Sequence, residues 1–199
     1  MKDYAIDSNI RDRIHNTIFI ISMALAVVIS ALFNLCTESM AKNSFWFVFL
    51  NLFIFPGMGI INKFLKWLFD SHLWHLNVFK KIVKILDLSG VWEITAQNKD
   101  GIEYSGTLKI KQTFTQISIC GKFKNSSSYN TATFITALPD GISLSYYYTN
   151  EPDGSIQTMG IQHGFAVISF SEDYETIKGS YFNDNFRGTQ GHWQLKKSV

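Results

Sequence analysis

Residues 17–35 read TIFIISMALAVVISALFNL, nineteen positions without a charge. As a helix this run extends about 28 Å, close to the thickness of a bilayer's hydrocarbon core. Apolarity on every face is wrong for a helix lying on a soluble core. The run is also too long for the core of a secretion signal, and no small-residue cleavage site comes after it. A second run, FWFVFLNLFIFPGMGII, occupies 45–61. The polar loop at 37–44 is so short that the two runs must form a tight helical hairpin. Asn51, in the middle of the second run, wants a hydrogen-bonding partner, within the hairpin or on another subunit. Pro56 removes a backbone bond and should kink the helix.

From Asn62 the pattern turns amphipathic, with Phe64, Leu65, Leu68, Leu73, Leu76, Phe79, Ile82 and Val83 near helical period. Lysines and two tryptophans, Trp67 and Trp74, lie between them. This describes a helix leaving the membrane or lying on its surface, or a linker helix packed on the C-terminal domain. Lys2, Arg11 and Arg13 precede the first run, five lysines come after the second, and only Lys42 lies between. The positive-inside bias therefore predicts a multi-pass protein of the cytoplasmic membrane with both termini in the cytosol.

Charge divides the chain in the same way. Residues 1–87 hold nine Lys/Arg against six Asp/Glu, and residues 88–199 hold nine against ten. The second half lacks the basic surface that DNA or RNA polymers require. A small anion in a pocket remains compatible, because a pocket needs only a few local donors. Cys36 and Cys120 read as unpaired thiols, and no Cys/His spacing calls for a metal or other cofactor.

After residue 88 the sequence alternates with period two between Gly-, Asn- and Asp-rich turns. It predicts eight strands at 88–96, 103–111, 113–123, 127–138, 142–150, 156–170, 176–183 and 190–197, with kinks at Gly160 and Gly164 in the sixth. Every connection reads as a hairpin, which favours a closed up-and-down barrel over a sandwich. The expected architecture is a two-helix transmembrane hairpin with its juxtamembrane helix (1–87), then an eight-stranded antiparallel β-barrel (88–199). A barrel of eight strands is either filled by side chains or holds one small ligand.

Candidate contacts for such a ligand cluster near strand ends. Tyr146 and Tyr148 share one face of the fifth strand, which ends at Asn150. His163 lies in the sixth strand, Tyr181 and Asn183 end the seventh, and Arg187 lies just beyond. Aromatic rings stack on bases, amides and hydroxyls read base edges, and Arg or clustered hydroxyls such as those of Ser126, Ser127 and Ser128 hold phosphates, although a serine run is also a common loop. Trp92, in Gly90-Val91-Trp92, suits a plug at one barrel end, and His163 and Arg187 also fit ordinary surface roles.

The order of these pieces resembles one family. The helical hairpin is succeeded by Leu88-Ser89-Gly90-Val91-Trp92, by Tyr104-Ser105-Gly106 running to Gln112-Thr113, by Ser126-Ser127-Ser128, by Leu144-Ser145-Tyr146-Tyr147-Tyr148-Thr149-Asn150, by His163-Gly164 and by Gly179-Ser180-Tyr181-Phe182-Asn183. The chain is similar, over nearly its whole length, to the bacterial CBASS antiphage effectors that join two membrane helices to a minimal β-barrel. The resemblance implies a receptor for a cyclic dinucleotide made by a partner cyclic-oligonucleotide synthase. It further implies that the bound effector forms homo-oligomers and disrupts the inner membrane, causing abortive infection. Trp92 and Gln112 join the candidate ligand contacts with Ser127, Tyr146, Tyr148, Asn150, His163, Tyr181, Asn183 and Arg187. A second reading is a membrane-tethered, lipocalin-like carrier or sensor of a small apolar ligand. An enzyme is not expected, since no Ser-His-Asp arrangement, metal spacing or paired carboxylates stand out.

Overall fold

A computed structural model describes residues 1–5, 8–37, 54–83, 85–139, 141–154, 160–171, 177–184 and 189–198. Its contacts divide the chain into two compact units, Ser8–Leu73 and Met1–Asp7 with Trp74–Val199.

The first unit is helical. Helix α1 spans Ser8–Thr37, and its segment Ile10–Leu32, with mean hydropathy 2.0, is long and apolar enough to cross a membrane. Among the described residues it alone meets that requirement. Most of the expected second span, including Asn51, lies outside the described residues. The remainder of that run opens helix α2, Ile54–Leu68, which packs on α1. The Ser22 hydroxyl donates back to the Ile18 carbonyl at 2.7 Å and lies 3.4 Å from Asn62 Oδ1 of α2. An apolar helix thereby keeps its buried hydroxyl satisfied. The amphipathic stretch expected from Asn62 is helical in pieces: α2 passes into a π turn, Phe69–Leu73, and helix resumes as α3, Asn77–Val83. A π turn adds residues to the helical turn, so an apolar stripe cannot run through it in phase.

The second unit carries nine strands. A two-residue strand, β1 (Lys2–Asp3), is joined by β2 (Gly90–Asn98), β3 (Glu103–Gln112), β4 (Gln116–Phe123), β5 (Ser126–Leu138), β6 (Gly141–Pro152), β7 (Gln162–Ser171), β8 (Ile177–Asn183) and β9 (Gln190–Lys197). From β2 to β9 each strand pairs antiparallel with the next, and β9 returns to β2, so eight strands close into the expected up-and-down barrel. The expected sixth strand begins at Gln162, with Gly160 outside it; residues 156–159 of that expectation lie outside the described residues. Gly164 does not kink it, because the β6–β7 register runs unbroken from Asn150↔Gln162 to Gly141↔Ser171. The irregularity lies instead in β5, between Asn130 and Ala132.

That bulge marks the weakest seam. Strands β4 and β5 share only four register pairs, from Cys120↔Tyr129 to Phe123↔Ser126, and then diverge. The N-terminal strand, which the alternation after residue 88 could not reveal, fills the gap. Lys2 and Asp3 pair with Ile117 and Gln116 of β4. On the other side Ala5 N donates to Thr133 O (3.1 Å) and Ile135 N to Ala5 O (3.0 Å). At the fork the Asn130 side chain accepts from Ile119 N and donates to Thr133 Oγ1, both at 2.9 Å, replacing ladder bonds with amide bonds. Tyr4, 1% exposed, anchors the strap with its hydroxyl donating to Phe114 O at 2.9 Å.

Alternation assigns the interior. Trp92, Ile94, Leu108, Ile110, Ile117, Ile119, Leu144, Ile168, Phe170 and Leu195 point inward and pack one end solid. Trp92 is fully buried there, donating Nε1–H to Leu88 O at 3.0 Å with its ring edge-on to Phe170. The strap and the segment that enters β2 both meet the barrel at this closed end, where Gln112 ties them together through Leu88 N (2.9 Å), Leu86 O (3.3 Å) and the Tyr4 hydroxyl (3.4 Å). The opposite strand ends carry the smaller and more polar inward residues, and the barrel opens there.

Replacing Tyr4 with alanine should cost about 3–5 kcal/mol, as for other buried aromatics, and Tyr4→Phe about 0.5–1.5 kcal/mol from its hydrogen bonds alone. Denaturant unfolding of the full chain in detergent, monitored by tryptophan fluorescence, checks both values.

Candidate functional site

The open end of the barrel encloses a cavity of about 500 Å³, within the range of about 300–1,000 Å³ usual for small-molecule sites. Its aromatic wall is a relay across four strands: Tyr104 on β3, Tyr148 on β6, Tyr181 on β8 and Trp193 on β9. Tyr181 stacks on Trp193 with centroids 5.4 Å apart and planes 21° apart, and accepts the Tyr104 hydroxyl proton in a hydrogen bond. Tyr148 donates its hydroxyl to Asn183 Oδ1 at 2.6 Å, and Asn183 Nδ2 donates to Thr189 Oγ1 at 2.6 Å. Asn183 therefore has a fixed amide orientation.

Two glycines make this crowding feasible. A Cβ at Gly164 would collide with the Tyr148 ring, and one at Gly191 would meet the Gln97 carbonyl and the Tyr181 hydroxyl. The glycine expected to bend β7 is thus present for close side-chain approach.

The polar lining is mostly uncharged: Ser126 and Ser128 of β5, Asn150 of β6, Gln162 of β7 and Asn183 of β8, with Glu103 and Lys124 as the charged residues among the described lining. Among the described residues, buried Trp193 Nε1 has no hydrogen-bond partner. An orphaned donor in a ligand-sized cavity is a place for an acceptor from outside the chain. Burial pushes the phenol of Tyr146 well above its ordinary pKa, with the neighbouring Tyr148 adding to the effect. Burial does the same for Tyr148, helped by the Asp184 carboxylate. Both remain neutral through physiological pH, and Tyr148 serves as a hydrogen-bond donor.

The ten residues singled out from sequence fall in several places. Tyr148, Asn150, Tyr181 and Asn183 converge on the cavity. Tyr146 is buried in the core below Tyr148, with ring centroids 5.9 Å apart. Trp92 and Gln112 belong to the closed end. Ser127 is exposed on the outside of β5 while its neighbours Ser126 and Ser128 line the cavity. His163 is exposed on the outside of β7, its Nδ1 3.2 Å from Thr149 Oγ1. Arg187 lies outside the described residues. Sequence reasoning missed Trp193 and Gln162 altogether, left Tyr104 as a motif member without a role, and named the run Ser126–Ser128 as phosphate-holding hydroxyls while choosing Ser127, the outward one, as the site residue. Strand parity was the available signal, since these residues share the inward phase of their strands near the open end.

A closed barrel with one packed end and one aromatic, hydroxyl- and amide-lined cavity is a small-ligand-binding domain. Residues 83–197, more than half of the chain, match the family described as Cap15, cyclic dinucleotide receptor domain. CD-NTase-associated protein 15 of Yersinia aleksiciae is 32% identical over 136 residues, which are 67% of this chain and 65% of that protein. The chain belongs to the Cap15 family, the β-barrel CBASS family that its sequence resembles, and its barrel is a receptor domain of the cyclic dinucleotide class.

The neutral phenols give a pH dependence. An unfolded chain releases both protons near pH 10, whereas the folded chain holds them, so the native state binds more protons above that pH. Stability contributed by these phenols is complete below pH 10 and should fall as pH rises beyond it. Tyr148→Phe should flatten that fall, measured by unfolding midpoints between pH 9 and 11.

Proposed function

We propose that this chain is a membrane-anchored antiphage effector whose barrel, residues 88–199, senses a cyclic dinucleotide in the open-end cavity. On binding, the chain forms homo-oligomers and its hydrophobic segment, residues 1–87, disrupts the bacterial inner membrane, so that the infected cell stops growing before phage matures. The messenger comes from a cyclic-oligonucleotide synthase acting in the same response. Both termini and the barrel face the cytosol, a topology supported by the distribution of lysine and arginine around the apolar runs. The role is that of a sensor and effector, without catalysis.

The observation that carries the reading is the pairing of stackable rings with neutral donors in one cavity. The Tyr181–Trp193 stack and Tyr104 offer aromatic faces for bases. Ser126, Ser128, Asn150 and Gln162 offer hydroxyl and amide donors for phosphates and base edges, and the unpaired Trp193 Nε1–H offers one more. Hydrogen bonds from neutral donors to an anion are charge-assisted and exceed ordinary ones in strength. A dianionic ligand therefore needs few lysines or arginines here. Such recognition selects shape and base identity over bulk charge, which separates a cyclic dinucleotide from the polyanions in the same cytosol. The membrane response requires the ligand to favour the assembled state over the resting one; equal affinity for both would shift nothing.

Calorimetric titration of the full chain in detergent with cyclic di-AMP, cyclic di-GMP and cyclic GMP–AMP tests the reading. At least one should bind, and removing a stacking ring with Tyr181→Ala should weaken it by about 1–3 kcal/mol, roughly five- to 150-fold. Silence across the panel, together with an apolar molecule retained in native mass spectrometry, would favour a lipocalin-like carrier. In proteoliposomes loaded with dye, the binding messenger should trigger release, and the Tyr181→Ala chain should require a correspondingly higher concentration.

A further inference from the structure

The outside of the barrel has two unlike faces. On β6, β7 and β8 the directly paired residues Tyr147, Phe165 and Phe182 form an aromatic row, with ring centroids 4.8 and 5.6 Å apart. Tyr147 and Phe182 are 51% and 53% exposed, unusual for large rings outside an interface. Beside them lies a groove of about 340 Å³, lined by Tyr147, Phe182, His163 and Asp184. Asp184 Oδ2 accepts from the His163 backbone N–H at 3.2 Å, while buried Oδ1 has no donor among the described residues. Aromatic walls beside a half-buried carboxylate make a socket suited to a lysine: the aliphatic stem lies along the rings and the ammonium comes within Coulomb range of the acid.

On β3 and β4 the outward residues include Lys109, Lys111 and Lys122; the described exterior of β4 carries no acid, and that of β3 carries one, Glu103, at the start of the strand. In the closed strand order, β4 is three strands from β7 in one direction and β3 is four in the other. The lysine face and the aromatic socket therefore stand on nearly opposite sides of the barrel. Lys122 and Phe182 each lie one residue short of the open end of their strands.

The geometry points to head-to-tail docking of a second copy of this chain, the lysine face of one barrel, Lys122 foremost, seated in the Tyr147–Phe182–Asp184 socket of the next. It rests on the assembly step proposed above and names its contact. Complementary charge on opposite faces selects this pairing over socket on socket, which would bring acids together. A contact between different faces repeats in one direction and builds a ring or an open row, the arrangement a multi-subunit membrane lesion needs.

A charge swap tests it in the full chain. Phe182→Lys puts a lysine in the socket, and the double variant Lys109→Glu, Lys122→Glu reverses the opposite face. Sedimentation in detergent is measured over rising protein concentration, with and without cyclic di-AMP, cyclic di-GMP or cyclic GMP–AMP, so mass action reads the contact even where no messenger binds. Each variant alone should assemble about tenfold or more weakly than the unaltered chain. Mixed one to one, they should assemble again, because each new lysine then meets a glutamate and each original socket meets an original lysine face. Undiminished assembly of either variant, or failure of the mixture, overturns the docking mode, whether or not messenger binding, the separate test of the receptor reading, is retained. Tyr147→Lys replaces Phe182→Lys should that chain lose its native tryptophan fluorescence.

Discussion

A barrel is stable only when its last strand edge is closed, and in this molecule the closure depends on residues nearly ninety positions upstream of the first barrel strand. Strands β4 and β5 zip together over four pairs and then part, leaving donors and acceptors of Ile119, Thr133 and Ile135 without ladder partners. Each buried unpaired group costs about 1–3 kcal/mol. Asn130 satisfies the fork itself, and Lys2 to Ala5 satisfy the rest with Tyr4 as anchor. The strand that precedes α1 is thus also the strand that seals the barrel.

Closure at that end divides the labour of the interior. Large inward residues, Trp92 and Phe170 foremost, fill the sealed end, and Gln112 draws strap, linker and β3 into one hydrogen-bonded knot. With stability concentrated there, the other end can be left open and polar. The hairpin linking β4 to β5 belongs to both regions: Phe123 to Ser126 border the cavity, and the same two strands separate further down to admit the strap.

The cavity's chemistry stems from scarcity of charge. With Glu103 and Lys124 as its charged residues among those described, the wall's hydrogen-bonding capacity comes mostly from neutral hydroxyl, amide and indole groups held in place by their neighbours. The Tyr148–Asn183–Thr189 chain fixes one side and the Tyr104–Tyr181–Trp193 cluster the other. Such preorganisation spares the ligand the entropy of ordering its own site.

Composition and period alone determined a long apolar helix near the start, the change to strands after residue 88, and a chain of hairpins that closes on itself, because side-chain alternation and turn chemistry are local properties. They also drew attention to Tyr148, Asn150, Tyr181 and Asn183, whose positions at strand ends are readable one strand at a time. Only the tertiary structure decided that Ser126 and Ser128 face inward and Ser127 outward, since the bulge beyond Asn130 changes the phase of β5 and no local pattern announces it. The same holds for Trp193, which meets Tyr181 through the β8–β9 register, and for the strap, whose two paired residues are too few to show a period. Register between distant segments is fixed by the packing of the whole barrel, and that information is absent from any short stretch of the chain.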